Sequence, residues 1–311
     1  MYFYLEWIYK RPTFCELIDK KPEKYTFQTS IKLRGFGDER EDLEIYGLIN
    51  TKFEDYKKHP SPYKKRSYLI SHLQKSIRKM KTMKSIQTAK HLIDLDINCL
   101  LRRLPIIMLE DVIPHSSLSI LIWLMISISK GFQMKKIMIQ WLLGIIHFLS
   151  SCNEHDIVKK THGHDINIFK DKTLTNEQRT FLKALSIRIS YGGMEGDMNM
   201  INYFIGLWYR RFLENRMINM NKIQYIDYNL RPLLRNDWDL SANDFHCNHR
   251  LLEDVRIQYE LYELDYIKKL IWNYSSRINK RIQFQRDEEE YKDWLIIKKY
   301  VRYLQKNMNY T

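Results

Sequence analysis

Glycine and proline are scarce in this chain, at 10 and 7 of 311 residues. So few chain breakers argue against a turn-rich β fold and for long helices. Cysteine is sparse too. Cys15, Cys99, Cys152 and Cys247 are scattered, with no C-x-x-C pair. That pattern speaks against a disulfide framework and suits a reducing compartment, cytoplasm or nucleus. Neither G-x-x-x-x-G-K-[ST], G-x-S-x-G nor H-E-x-x-H occurs. The usual triphosphate cradle, nucleophile elbow and zincin helix are therefore missing, and the reading assigns no catalytic residue, cofactor or metal. A membrane-length apolar run is missing as well. Residues 116–129 are almost free of charge and hold Leu121, Ile122, Trp123 and Leu124. A span needs about 20 apolar residues, and Pro114-His115 and Lys130-Gly131 bracket this run. It reads as a buried core helix, with no membrane partner. The N-terminal apolar stretch is broken early by Glu6, Lys10 and Arg11, which does not fit a secretory signal.

Positive charge is what the chain has in excess. Lys and Arg number 51 against 37 Asp and Glu, a net charge of +14. Such a surplus points to an acidic partner, nucleic acid first among them. A coding bias toward Lys, Ile, Asn and Tyr would produce the same surplus with no partner at all. The apolar fraction, 44%, is ample for a sizeable core.

The organisation reads as mainly α: a multi-helix bundle with a small mixed α/β N-terminal segment. Residues 25–34 alternate apolar and polar as a strand does, with Gly35 and Gly37 as its stop, and residues 44–50 offer a second strand. His59-Pro60-Ser61-Pro62 is rigid, non-helical punctuation. The segments that follow are 1–60 (mixed), 61–152 (a helical bundle) and 175–311 (a C-terminal helical domain). Residues 68–80 place Leu69, Ile70, Leu73, Ile77 and Met80 on one face at spacings of three and four. Helices are expected over 85–95, 96–109, 116–130 and 136–150, with Pro105 either kinking its helix or starting a new one. Trp123, Leu124 and Leu142 should be buried inside a compact bundle over 63–150. Thr175-x-x-Gln178 is a capping box. Gly192-Gly193 should end the helix it starts, and Asp197 should cap the next. Two further helices are expected over 248–276 and 288–306.

One stretch carries a resemblance. Lys75-Ser76-Ile77-Arg78 is followed by a helical segment, then Leu100-Leu101-Arg102-Arg103-Leu104, an apolar run, and Glu110-Asp111. That order resembles the helical segment after the ATPase core in the MgsA/RarA/Werner-helicase-interacting family of clamp-loader-like AAA+ proteins. It covers about residues 68–150, and Val112-Ile113-Pro114-His115-Ser116 stands where the family has Ile-Gly-Leu-Ala-Asp-Pro. The resemblance implies a role in DNA replication or repair and a collar that assembles subunits, here without an ATPase. Such a detached collar, with this composition, would suit a large DNA virus acting inside an infected cell.

The candidate sites follow from charge. Lys75, Arg78, Lys79 and Lys84 form a basic stripe opposite the apolar face, fit for a phosphate backbone or simply for solvent. Arg277, Lys280 and Arg281 follow the aromatics Trp272 and Tyr274, as in single-strand binders. Trp272 and Trp208 are themselves expected in the core. Arg102 and Arg103 point about 100° apart on a helix. One should pair with Glu110 or Asp111, and the other is left for a phosphate or a subunit contact. The glycine-rich turn 191–197 could present amides to an anion, but Glu195 and Asp197 oppose that. His155, His162 and His164 gather in 153–165, beside Cys152, and His246, Cys247 and His249 in 246–249. Their spacing matches no common zinc module. Asp237, Asp239 and Asp287 look like caps. The leading expectation is a non-catalytic helical protein that binds nucleic acid or a replication protein and self-associates. The alternatives are an interaction protein whose basicity is compositional, and an enzyme with its site at 153–165 and 246–249.

Overall fold

Residues 2–7 read Tyr-Phe-Tyr-Leu-Glu-Trp with Glu6 their only charged side chain, so a search for alternating polarity barely registers their strand. The computed structural model, which describes residues 1–34, 40–156 and 171–308, nevertheless shows them as β1 (Tyr2–Trp7). Phe3, Leu5 and Trp7 face the core and Tyr2 and Tyr4 the half-buried side, the period of two that a strand imposes. β2 (Phe14–Ile18), β3 (Phe27–Arg34) and β4 (Arg40–Ile49) complete a four-stranded sheet in the order β2-β1-β4-β3. β1 runs parallel to β4, and the other two pairings are antiparallel. β3 and β4 are the expected strands, while β1 and β2 are additions. Gly35 and Gly37 lie outside the described residues.

The other long elements are helices, as the sequence implies. The described residues hold α1 (Arg66–Arg78), α2 (Thr82–Asp111), α3 (Leu118–Ser129), α4 (Lys136–Ser151) and α5 (Asn176–Ser190). They continue with α6 (Glu195–Leu213), α7 (Leu251–Gln258), α8 (Leu264–Ile271) and α9 (Glu288–Lys306). α2 breaks at Asp96, whose backbone is extended (φ −160°, ψ 90°). The Asp96 carboxylate accepts the amides of Asn98 and Cys99, so it caps the second half of the helix. Pro105 sits inside that half without breaking it. Thr175 and Gln178 form the expected capping box. The helix expected over 248–276 is instead two, α7 and α8, separated at residues 259–263.

The chain divides into two compact units that cut across the consecutive segments 1–60, 61–152 and 175–311. The first comprises Met1–Lys57, Leu101–Leu142 and Asp156–Tyr225; the second comprises Lys58–Leu100, Leu143–His155 and Ile226–Thr311. Residues 63–150 therefore contribute to both units. Trp123, Leu124 and Leu142 are fully buried, as expected.

In the first unit the sheet packs on α3 and α5. Trp123 donates its indole N–H to the Tyr46 carbonyl at 2.9 Å. Gly47 beside it leaves room for the ring: a Cβ there would lie 2.7 Å from Trp123 Cζ2. Thr180 of α5 accepts the Leu17 amide at 3.0 Å, and Asn176 donates to the Leu17 carbonyl at 2.9 Å. The second unit has a separate core in which Leu251, Val255, Ile267, Leu270, Trp294, Ile297 and Val301 close together. Each such aliphatic side chain contributes about 1.5–3 kcal/mol on burial.

Candidate nucleic-acid interface

The basic stripe of α1 faces inward. Lys75 and Arg78 keep only 5% and 6% of their surface exposed, and Lys79 and Lys84 are half-buried. The cause is distant in sequence: residues 238–246 lie along this side of α1 and bring carboxylates to it. Asp239 caps the short 3-10 turn Leu240–Ala242 and accepts from Lys81 at 2.6 Å and Lys79 at 3.3 Å. Asp244 accepts from Lys75 at 2.7 Å. Lys75 also donates to Ser71 Oγ and the Ala242 carbonyl at 3.0 and 3.1 Å, so its ammonium has three partners. Arg78 donates to the Ser276 carbonyl at 3.2 Å.

Charge this deep persists only when paired. Burial opposes ionisation of Asp239, but Lys79 and Lys81 outweigh it and hold the carboxyl far below its usual range. Asp244 follows the same pattern: burial raises its pKa, while His246 and Lys75 lower it further. Burial pushes Lys79 down to about 8, offset only in part by Asp239. His72 lies within this network, its Nδ1 2.7 Å from Thr88 Oγ1. Thr88 already donates to the Lys84 carbonyl, so Nδ1 carries the proton and donates. His72 Nε2 accepts the Asp239 amide at 2.9 Å. A ring accepting there must be neutral, and burial pushes His72 down to about 3.

Above this network lies a surface of aromatics and cations. α8 runs into a π-helical turn, Trp272–Ser276. Such turns are rare and recur at functional sites. Tyr274, Ser275 and Ser276 are buried, whereas Trp272 is 37% exposed. The Trp272 ring lies 5.7 Å from that of His246, which packs at 4.2 Å and 32° on Phe245. Lys268 stands 6.0 Å over Phe245. Beyond the turn Arg277 is exposed, 5.3 Å from the ring of Phe284, itself 37% exposed. Lys280 is exposed too. Arg281 is not available: it donates to the carbonyls of Ile77, Leu149 and Cys152 at 3.0, 2.6 and 2.7 Å.

Asp244 joins the two layers. One oxygen takes Lys75 and the Ser276 hydroxyl, and the other takes His246 Nδ1 at 2.8 Å and its amide at 3.0 Å. The Lys280 amide donates to the Arg78 carbonyl at 3.0 Å. The stripe residues Lys75 and Arg78 are thus the foundation of the aromatic surface.

The core placement expected for Trp208 holds, at 6% exposure, but that for Trp272 does not. The signal was in the sequence. Ile267, Leu270, Ile271 and Tyr274 follow the three-four-seven spacing of one helix face, and Trp272 falls off it. The contact with His246 and Phe245 has no local signature.

The other candidates resolve differently. Arg103 pairs with Asp197 at 2.7 Å, and Arg102 donates to the carbonyls of Tyr191 and Gly192 at 2.9 and 3.3 Å. Burial and nearby Arg102 push Arg188 down to about 10, and it also donates to the Gly192 carbonyl. Asp197 therefore sits in the first turn of α6, with Met194 at the cap position. The glycine-rich turn spends its carbonyls on cations. Asp111 is buried and Glu110 half-buried. Cys247 Sγ donates to the Ser67 carbonyl at 3.7 Å, and His249 is exposed. Among the described residues no three His, Cys, Asp or Glu side chains converge on a metal position. His162 and His164 lie outside the described residues. No described helix is long and apolar enough to cross a membrane. Comparison with known proteins yields no match, whether among family descriptions, curated sequences or solved structures.

Proposed function

We propose that this protein binds single-stranded nucleic acid without catalysing a reaction on it, in the setting of DNA replication or repair that the partial collar resemblance suggests. The observation that carries the reading is Trp272, exposed on a π turn and in ring contact with His246, which packs on Phe245 under Lys268, with the exposed Arg277 and Lys280 following in the chain. Single-strand binders combine stacking platforms with cations that track the backbone, and they show little sequence preference. The support for Trp272 is rigid because Asp244 and Ser276 fix it from below. Lys75, Arg78 and Lys79 enter the reading only through that support. Arg102 and Arg103 are engaged within their own unit, so no assembly role is attached to them.

The test is a titration of a labelled oligothymidylate by fluorescence anisotropy across a salt series. Trp272→Ala should weaken binding about tenfold or more, the loss of one base stack. Absence of binding at low salt, or unchanged affinity in Trp272→Ala, removes this function.

A further inference from the structure

α9 has two faces of opposite character. Trp294, Ile297 and Val301 point into the core. Lys292, Leu295, Ile296, Lys299, Tyr303 and Lys306 point out, with Leu295, Ile296 and Tyr303 at 49%, 51% and 60% exposure. At about 100° per residue the outward six fall in one arc of about 100°, opposite the buried residues. Leu295 and Ile296 expose half their surface in the middle of a helix whose other aliphatic residues, Ile297, Val301 and Leu304, pack on the core. Tyr259 donates to the Ile296 carbonyl at 3.2 Å, tying the α7–α8 connection, where Leu261 is 97% exposed, to the edge of this face.

The charges select the partner. Lys292, Lys299 and Lys306 recur every seven residues and have no acidic partner among the described residues. A nearby carboxylate, Asp293, is taken by the hydroxyls of Tyr262 and Tyr266 at 2.9 and 2.6 Å. A seven-residue repeat is the repeat with which one helix meets another along its length. A second copy would set lysine against lysine along that seam. Phosphate backbones would use the lysines but not the aliphatic pair. The outward apolar arc is also too narrow to sink into a lipid interface, which takes the broad apolar face of an amphipathic helix.

We infer that the outward face of α9 docks an acidic amphipathic helix of another protein, with carboxylates at seven-residue intervals facing Lys292, Lys299 and Lys306 and aliphatic side chains covering Leu295 and Ile296. The face is about 21 Å long at 1.5 Å per residue, four turns of a partner helix. This surface is independent of the Trp272 platform.

The probe is a synthetic helical peptide with Glu at every seventh position and Leu three and four residues after each Glu, compared with the same peptide carrying Lys in place of Glu. The full chain should bind the Glu peptide at least about tenfold more tightly, and Lys292→Glu/Lys299→Glu/Lys306→Glu should invert that preference. Leu295→Ser/Ile296→Ser should weaken binding of the preferred peptide about tenfold. Because the inversion is read on one folded variant with two peptides, misfolding cannot imitate it. The proposal fails if the Glu peptide does not bind, if the preference survives charge reversal, or if the Leu295/Ile296 change has no effect. It also fails if charge reversal on α9 weakens oligothymidylate binding as much as Trp272→Ala does. Self-association that Leu295→Ser/Ile296→Ser abolishes, seen by sedimentation equilibrium, would assign the face to a second copy and overturn it.

Discussion

Lys75 Nζ lies 2.7 Å from Asp244 Oδ2, with 6% and 0% of the two side chains exposed. Removing either partner strands the other as a buried charge, which costs about 3–5 kcal/mol. Lys75→Met and Asp244→Asn should each lower the urea midpoint by a corresponding amount. The double variant should be less destabilised than the sum of the two, since neither charge is then left alone. Additive effects in this cycle would show that the pair is not coupled.

Acid should unfold the second unit before carboxylate protonation alone would. His72 ordinarily titrates near 6.5, and burial pushes it down to about 3. The unfolded chain then binds more protons than the folded one between those values, so stability falls as pH drops. His72 alone contributes a slope of up to about 1.4 kcal/mol per pH unit in that window. His91 is lowered in the same direction by burial, and its Nε2 accepts the Leu233 amide at 3.2 Å. Asp239 and Asp244, both depressed, add their losses below the usual carboxylate range. Urea midpoints measured from pH 7 to 4 should decline steadily from about pH 6.5. A flat profile down to pH 4 would contradict the neutral, hydrogen-bonded histidines.

Gly47→Ala should destabilise the first unit by about 1–3 kcal/mol, the usual cost of overpacking. The new methyl would meet the Trp123 ring at 2.7 Å, and that ring is fully buried and held through its indole N–H. The near-ultraviolet circular dichroism of the buried indole should change as the midpoint falls. An unperturbed spectrum and midpoint would mean the sheet and α3 are looser than this contact implies.

The cations beside Trp272 should separate from the stack in their salt response. Arg277→Ala/Lys280→Ala should reduce the log–log salt slope of single-strand binding by about 0.7 for each phosphate no longer neutralised, whereas Trp272→Ala should leave the slope nearly unchanged. Arg281→Ala should act on stability instead, because its guanidinium serves three carbonyls. Equal slopes in the parent and the Arg277/Lys280 variant would exclude those side chains from the backbone path.

Local periodicity made most helices legible, because three-four spacing is written within each segment. It correctly assigned Leu69, Leu73 and Ile77 to the core. The same logic sent Lys75 and Arg78 to solvent, because it treats a helix as having one covered side. α1 has a second, and what covers it comes from more than 160 residues away. β1 was illegible for a different reason: two of the three residues of its outer face are tyrosines, Tyr2 and Tyr4, and only Glu6 marks that face as polar. At the site, Arg277 and Lys280 were named from sequence, and Trp272 was named but placed inside. His246 and Phe245 join it only through the folded path of the chain.

Arg281 gives the second unit an order of assembly. Its guanidinium takes up the Leu149 and Cys152 carbonyls at the end of α4, which no later turn of that helix can satisfy, and shares the Ile77 carbonyl of α1 with the Met80 amide. During synthesis the first unit has all its segments once residue 225 has emerged, while the second still lacks residues 226–311. Until then α1 carries Lys75 with no carboxylate from residue 244, and the end of α4 lacks its guanidinium. A nascent chain halted between these points would hold one finished body and one set of waiting helices, and the stretch that completes the second is the stretch that carries Trp272.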